Sequence, residues 1–137
     1  MSGELKLSIL SPERRLVQDI SVDEITLPTS EGEIEILPTH AAMIGTLETG
    51  IFHYRTVGNE VASGVISSGF FEVKDDVIVV TAETIELKSE INVDRAKKAQ
   101  QVAEDSLRSA DLDEHSFRKY QLKLQRALIR QQLASQG

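Results

Sequence analysis

The sequence predicts an α+β protein, with a flattened antiparallel β-sandwich over residues 1–88 followed by an antiparallel two-helix hairpin over 89–137. Three observations carry that expectation. Short β-branched runs with period-two alternation fill the first part, separated by turn chemistry. After Ser89 the apolar period changes to steps of three and four. At 137 residues the chain suits one small domain with a helical appendage and is too short for two full-sized globular domains.

The strand signals come in order. Leu5, Leu7 and Ile9 alternate with Lys6 and Ser8; Val17, Ile20, Val22, Ile25 and Leu27 form a second apolar region ending at Pro28; Ile34 and Ile36 alternate with glutamates. Ser11-Pro12, Ser30-Glu31-Gly32 and Gly58-Asn59 supply turns, and Asp75-Asp76 separates Phe71-Glu72-Val73 from Val77-Ile78-Val79-Val80. Frequent short strands of this kind favour a sandwich or flattened barrel. A body ending near Leu87 exceeds the roughly 60 residues at which domains often fold alone.

Ala96, Ala99, Ala103, Leu107 and Ala110 then make a narrow apolar stripe on a helix starting near Asn92, which can act as N-cap while Asp94 complements the helix dipole. After Ser109-Ala110-Asp111, the pair Asp111 and Glu114 suggests a capping-box-like start to a second helix. Phe117, Tyr120, Leu124 and Leu128 give that helix its apolar face. So short a link predicts antiparallel pairing.

Composition excludes several function classes. The chain has no cysteine, which removes disulfides, thiolate metal sites and a cysteine nucleophile and fits a reducing compartment. No apolar stretch approaches the ~20 residues needed to cross a bilayer, so any membrane association is expected to run through a partner. The first residues lack the pattern of a secretory signal or transit peptide, and the mature chain is expected to start at Met1. A formal charge of −7 argues against a nucleic-acid partner. That total hides an asymmetry: sixteen acids face six bases up to Asn92, whereas five bases and no acid follow from His115 onward.

Enzyme signatures are scarce. His40, His53 and His115 fall in a loop, a strand and a helix start without metal-ligand spacing, and no nucleophile elbow or phosphate-cradling glycine loop occurs. Carboxylate pairs such as Glu33 and Glu35 are what any acidic surface supplies. The basic residues are more specific. Lys119, Lys123, Arg126 and Arg130 recur at helical spacing along one side of the second helix, with Arg118 nearby. An ordinary solvated helix face would look similar, but the absence of compensating acids points to an acidic protein surface or an anionic ligand.

These residues also carry a family resemblance. The stretch Pro28-Thr29-Ser30-Glu31-Gly32-Glu33-Ile34-Glu35-Ile36-Leu37-Pro38-Thr39-His40-Ala41-Ala42, continuing to Gly50, resembles the P-x-x-x-G-x-x-G-I-L-P-x-H-A-P-L pattern of the epsilon subunit of the rotary F-type ATP synthase. Ser67-Ser68-Gly69-Phe70-Phe71-Glu72-Val73 and the segment from Ile91 to Ala99 are similar to two further blocks of that family, so the likeness spans nearly the whole chain. Glu35 replaces a usual glycine, Ala42 a proline and Ser68 a glycine.

The resemblance implies a non-catalytic rotor component of the proton-translocating enzyme, peripheral on the cytoplasmic face of the bacterial inner membrane, with the thylakoid stromal face as the alternative. The β-sandwich would bind the gamma subunit and rest on the membrane c-ring, with Glu31, Glu33 and His40 on the ring-facing loop. The tail would meet an acidic segment of the beta subunit through Lys119, Lys123, Arg126 and Arg130 and block ATP hydrolysis. No cofactor is required, but some relatives bind regulatory ATP, and Glu86, Ile91, Asn92, Arg95, Ala96, Arg126 and Arg130 match their site. Asn92 stands there for an aspartate and Asp94 for a neutral spacer. The reading from another class is a free-standing sandwich that binds proteins, with the helices as a dimerisation hairpin.

Overall fold

The computed structural model describes residues 4–109 and 111–136. Expectations for residues 1–3 and for Ala110 in the alanine stripe lie outside these. The chain divides into two compact units, a body up to Leu87 and a tail from Lys88.

Nine strands form the described part of the body: β1 Leu5–Leu10, β2 Arg15–Thr29, β3 Gly32–Ile36, β4 Met43–Leu47, β5 Gly50–Thr56, β6 Val61–Ile66, β7 Gly69–Lys74, β8 Val77–Ala82 and β9 Ile85–Leu87. They run in the order β1-β8-β7-β4-β2-β5-β6-β9, with β3 on β2 and a further β1–β2 pairing. That last pairing closes β1, β8, β7, β4 and β2 into a ring, from which the other strands extend. The described pairings are antiparallel except for β1–β8, where Lys6 to Leu10 lie parallel to Val77 to Thr81.

Alternation produces the core. Leu5, Leu7 and Ile9 from β1, Val22, Ile25 and Leu27 from β2, Ile36 from β3 and Ile78 and Val80 from β8 are all fully buried. Pro28 does not end β2. It lies opposite Glu33, and its carbonyl accepts the Glu48 N–H at 3.1 Å, so the strand stays paired there although proline has no N–H to give.

Two devices shape the body. The β1–β2 register shifts between Leu7 and Ile9 because Asp19 adopts the left-handed region, at φ 52°, and its N–H is taken by the largely buried Ser8 hydroxyl at 3.0 Å. Cross-strand pairs of glycine and phenylalanine supply the second. Gly45 faces Phe71 and Gly64 faces Phe52, and in each pair the ring lies over the bare backbone of the glycine.

The tail holds a 3-10 turn at Lys88–Glu90, then α1 over Val93–Leu107 and α2 over Glu114–Ser135. Asn92 caps α1 as expected, its side-chain oxygen accepting the Arg95 N–H at 3.1 Å. The cap of α2 is Asp113 rather than Asp111, and it accepts the Ser116 N–H at 2.7 Å. The helices pair side by side. Their contact differs from the expected apolar face: Phe117 and Leu128 are 43% and 45% exposed, while Ala127 is buried and Gln131 donates to Gln100 of α1 at 2.7 Å. The facing line is therefore Tyr120, Leu124, Ala127 and Gln131, rotated toward the small residues. Opposite it, Ala96 and Ala103 are buried in α1.

A Cβ on Gly64 would come within 2.6 Å of the Phe52 ring and closer still to the Glu86 carbonyl oxygen, which is backbone and cannot swing away. Gly64→Ala should therefore lower stability by roughly 2 kcal/mol or more, as overpacked cores do, read as a drop in urea midpoint at unchanged slope.

Candidate functional site

Two surfaces carry the residues singled out by the sequence. On the body, Glu31 sits in the β2–β3 turn, where the Thr29 side chain accepts its N–H at 3.2 Å and donates to the Gly32 carbonyl at 2.6 Å. Glu33 follows at the start of β3, exposed opposite Pro28. His40 lies beyond β3, half-buried, with Nδ1 2.8 Å from the Ala41 carbonyl and therefore the protonated nitrogen of the neutral ring. These three residues do not share a loop: β3 intervenes. The β2–β3 turn is tied to β4, since the Ser30 N–H donates to the Thr46 carbonyl and Thr46 Oγ1 donates to Ser30 Oγ at 2.9 Å. The connection bearing His40 is tied to the β7–β8 turn, where Asp76 Oδ1 accepts the Thr39 N–H at 2.7 Å. Thr39 is held there at φ 68°. A reading along the sequence sees three residues within ten positions; in the fold β3 lies between the turn that bears Glu31 and the connection that bears His40.

On the tail, helical spacing sets Lys123, Arg126 and Arg130 into a cavity of about 360 Å³ between α1 and α2, together with Arg95 and Lys98 of α1. Five cations thus line one groove, together with the apolar side chains of Ala99, Val102, Ala103 and Ala127. Tyr120 is its aromatic wall, with the Lys119 and Lys123 ammonium groups 5.6 and 5.8 Å from the ring centre. Lys119 itself stands outside the lining.

The expected nucleotide set therefore divides. Arg95, Arg126 and Arg130 converge on the groove, whereas Asn92 is engaged as the α1 cap, Ala96 is fully buried in the hairpin, Ile91 is half-buried ahead of the helix and Glu86 belongs to β9 of the body. Lys98 was missed by sequence reasoning. Its spacing of three from Arg95 puts the two on one side of α1, which is the signal that could have found it. Among the described residues no group of histidines and carboxylates is set to hold a metal, and no helix is long and apolar enough to cross a membrane.

The geometry has close likenesses among known proteins. Residues 4–88 match the family model described as ATP synthase, Delta/Epsilon chain, beta-sandwich domain, and residues 89–135 match ATP synthase, Delta/Epsilon chain, long alpha-helix domain. The ATP synthase epsilon chain of Trichlorobacter lovleyi is 38% identical over 137 residues, covering 100% of this chain and 98% of the relative. That of Geobacter sulfurreducens is 35% identical with the same coverage. Among solved structures, a chain of the Euglena gracilis mitochondrial ATP synthase superposes with a TM-score of 0.82 at 24% identity, over 93% of this chain and 79% of that one. A chain from the central stalk and c-ring structure of the Tetrahymena thermophila enzyme gives a TM-score of 0.70 at 16% identity, over 96% of both. These two likenesses concern the fold.

The Asp113 cap gives the tail a pH signature. Its hydrogen bond from the Ser116 backbone, then that from the Ser116 side chain and the charge of His115, hold its carboxyl below the usual aspartate value of 3.8 against a small opposing effect of desolvation. A folded-state value below the unfolded one means that the cap's contribution is complete above 3.8 and is lost as pH falls through the lower folded value. The Ser116 amide resonance should accordingly titrate below pH 3.8 in the intact chain and stay flat in Asp113→Asn, whose amide caps without ionising.

Proposed function

This chain belongs to the ATP synthase delta/epsilon chain family, and on that premise we propose that it couples the catalytic head to the membrane ring and restrains ATP hydrolysis, without chemistry of its own. In this reading the body binds the gamma subunit and rests on the c-ring at the cytoplasmic face of the bacterial inner membrane. The tail meets an acidic surface of the beta subunit. Regulatory ATP is held by Arg95, Arg126 and Arg130, where it favours the side-by-side arrangement of the helices.

The observation that carries the inhibitory role is electrostatic. Lys119, Lys123, Arg126 and Arg130 run along one side of α2, and the sequence after His115 carries no acid. Self-repulsion along such a row is relieved by an acidic partner. Each exposed pair contributes only about 0.2–1 kcal/mol, so four together shift a two-state balance by roughly 1–3 kcal/mol. That is enough to set the degree of inhibition without making it irreversible.

Replacing the four cations by alanine should keep α2 helical, since alanine has the highest helix propensity, and should weaken inhibition of hydrolysis by the isolated head. Inhibition by the intact chain should also decline as salt rises, because exposed charges are screened within about 8 Å at physiological ionic strength. The assay is ATP hydrolysis by the head with the intact chain, the alanine variant and a chain ending at Lys88, across a salt series. Equal inhibition by intact and alanine chains at every salt concentration would remove the electrostatic mechanism.

The ring-facing reading has its own test. Replacing Glu31, Glu33 and His40 together should leave the fold intact, as exposed loop changes usually stay within about ±0.5 kcal/mol each. Proton pumping per ATP hydrolysed in reconstituted membranes should fall. Because β3 separates the three residues, variants of Glu31 and Glu33 alone, and of His40 alone, report whether one surface or both make the contact.

A further inference from the structure

The connection between β3 and β4 turns sharply at a residue poorly suited to the turn. The His40 N–H donates to the Leu37 carbonyl at 3.2 Å, which closes a four-residue turn over Leu37, Pro38, Thr39 and His40. Proline fixes the first central residue at a φ of about −65°. Thr39, the second, stands at φ 68°. That combination is a type II turn, whose second central position calls for glycine or asparagine. Threonine is branched at Cβ, and a β-branched residue at positive φ is an outlier.

Such a conformation persists only where the surrounding structure holds it. The hold comes from the β7–β8 turn, where Asp76 Oδ1 accepts the Thr39 N–H at 2.7 Å. Asp76 is itself firmly placed. It and Asp75, at φ 61° and 51°, are the two left-handed residues of a type I′ hairpin turn across which Lys74 pairs with Val77. The Asp76 carbonyl accepts the Lys6 N–H at 2.9 Å, so the hairpin is also fastened to the start of β1. The carboxylate therefore reaches Thr39 from an anchored hairpin.

The peptide joining Thr39 to His40 follows the left-handed residue, so the direction in which the imidazole leaves the chain depends on Thr39 staying there. A released threonine returns to the β or right-handed region and turns that peptide over. We propose that Asp76 is a positioning residue: its carboxylate holds Thr39 in the left-handed region and thereby aims His40 at the membrane ring. The inference rests on the reading of His40 as a ring contact. It assigns to the β7–β8 turn a part in coupling that the position of His40 in the sequence does not suggest.

Turn chemistry makes the test selective. Asp-Gly is a favoured pair for a type I′ turn, so Asp76→Gly keeps the hairpin while removing the carboxylate. Asp76→Asn keeps an acceptor oxygen, and Thr39→Gly removes the need for one. Hydrogen exchange at the Thr39 amide of the full chain is read beside the protons pumped per ATP hydrolysed by the reconstituted complex. Asp76→Gly should speed that exchange about tenfold or more at an unchanged urea midpoint. It should lower pumping as far as His40→Ala does, with no further loss when the two are combined. Asp76→Asn should retain pumping, Thr39→Gly added to Asp76→Gly should restore it, and Asp75→Gly should leave both readouts unchanged. Unaltered exchange in Asp76→Gly would overturn the proposal by showing that the carboxylate does not hold Thr39. Faster exchange with full pumping, where His40→Ala lowers pumping, would overturn the positioning role and leave the ring contact standing. An equal loss in Asp75→Gly would overturn it by showing a general effect of charge. Full pumping in both His40→Ala and Asp76→Gly would remove the ring reading of His40 and this proposal together.

Discussion

Everything in the body depends on the hydrogen-bond continuity of one strand. β2 runs for 15 residues and pairs with β1 along its first half, with β3 and β5 on either side of Ile25 and with β4 at Thr29. A straight strand of that length could not serve both the closed ring and its extension. The left-handed Asp19, with its N–H satisfied by Ser8, changes the register and lets β2 serve both. Because β2 passes directly into the Glu31 turn and β3, Glu31 and Glu33 inherit their positions from this pairing.

The parts of the fold readable in the sequence were those set by local chemistry. Alternation at Leu5, Leu7 and Ile9 specifies a buried strand face whatever the strand's neighbours are, and paired residues such as Asp75 and Asp76 tolerate the positive φ angles that the β7–β8 turn requires. The parallel β1–β8 pairing brings together residues about seventy positions apart, and no local pattern encodes it. Pro28 read as a strand end because its missing donor is visible in the sequence while the carbonyl that Glu48 uses is not. In the tail, Phe117 and Leu128 outrank Ala127 in apolarity. Yet close approach of two helices is governed by size as well as hydrophobicity, and that rotated the interface toward alanine. The cationic row was legible from α2 alone, but its meeting with Arg95 and Lys98 required knowing which flank faces the neighbouring helix.

Charge is unevenly distributed along the chain. Acids dominate up to Asn92 and are absent after His115, so the body is acidic and the greater part of α2 is basic. The exposed Glu33 and Glu35 lie on β3, which among the described pairings bonds only β2, and charged side chains there discourage the open strand edge from recruiting a foreign strand. The body thereby stays selective about what adds to its sheet.

The alanine contact between the helices has a mechanical meaning. The fully buried apolar side chains of the described tail are Ala96, Ala103, Ala127 and Leu133. At about 0.8 kcal/mol per buried methyl-sized group and roughly 2 kcal/mol for a leucine, the apolar stabilisation of the pair is only a few kcal/mol. A micromolar binding event releases about 8 kcal/mol. The two helices are therefore fastened like a clasp, with a seam whose apolar contact is no larger in free energy than one binding event of ordinary strength.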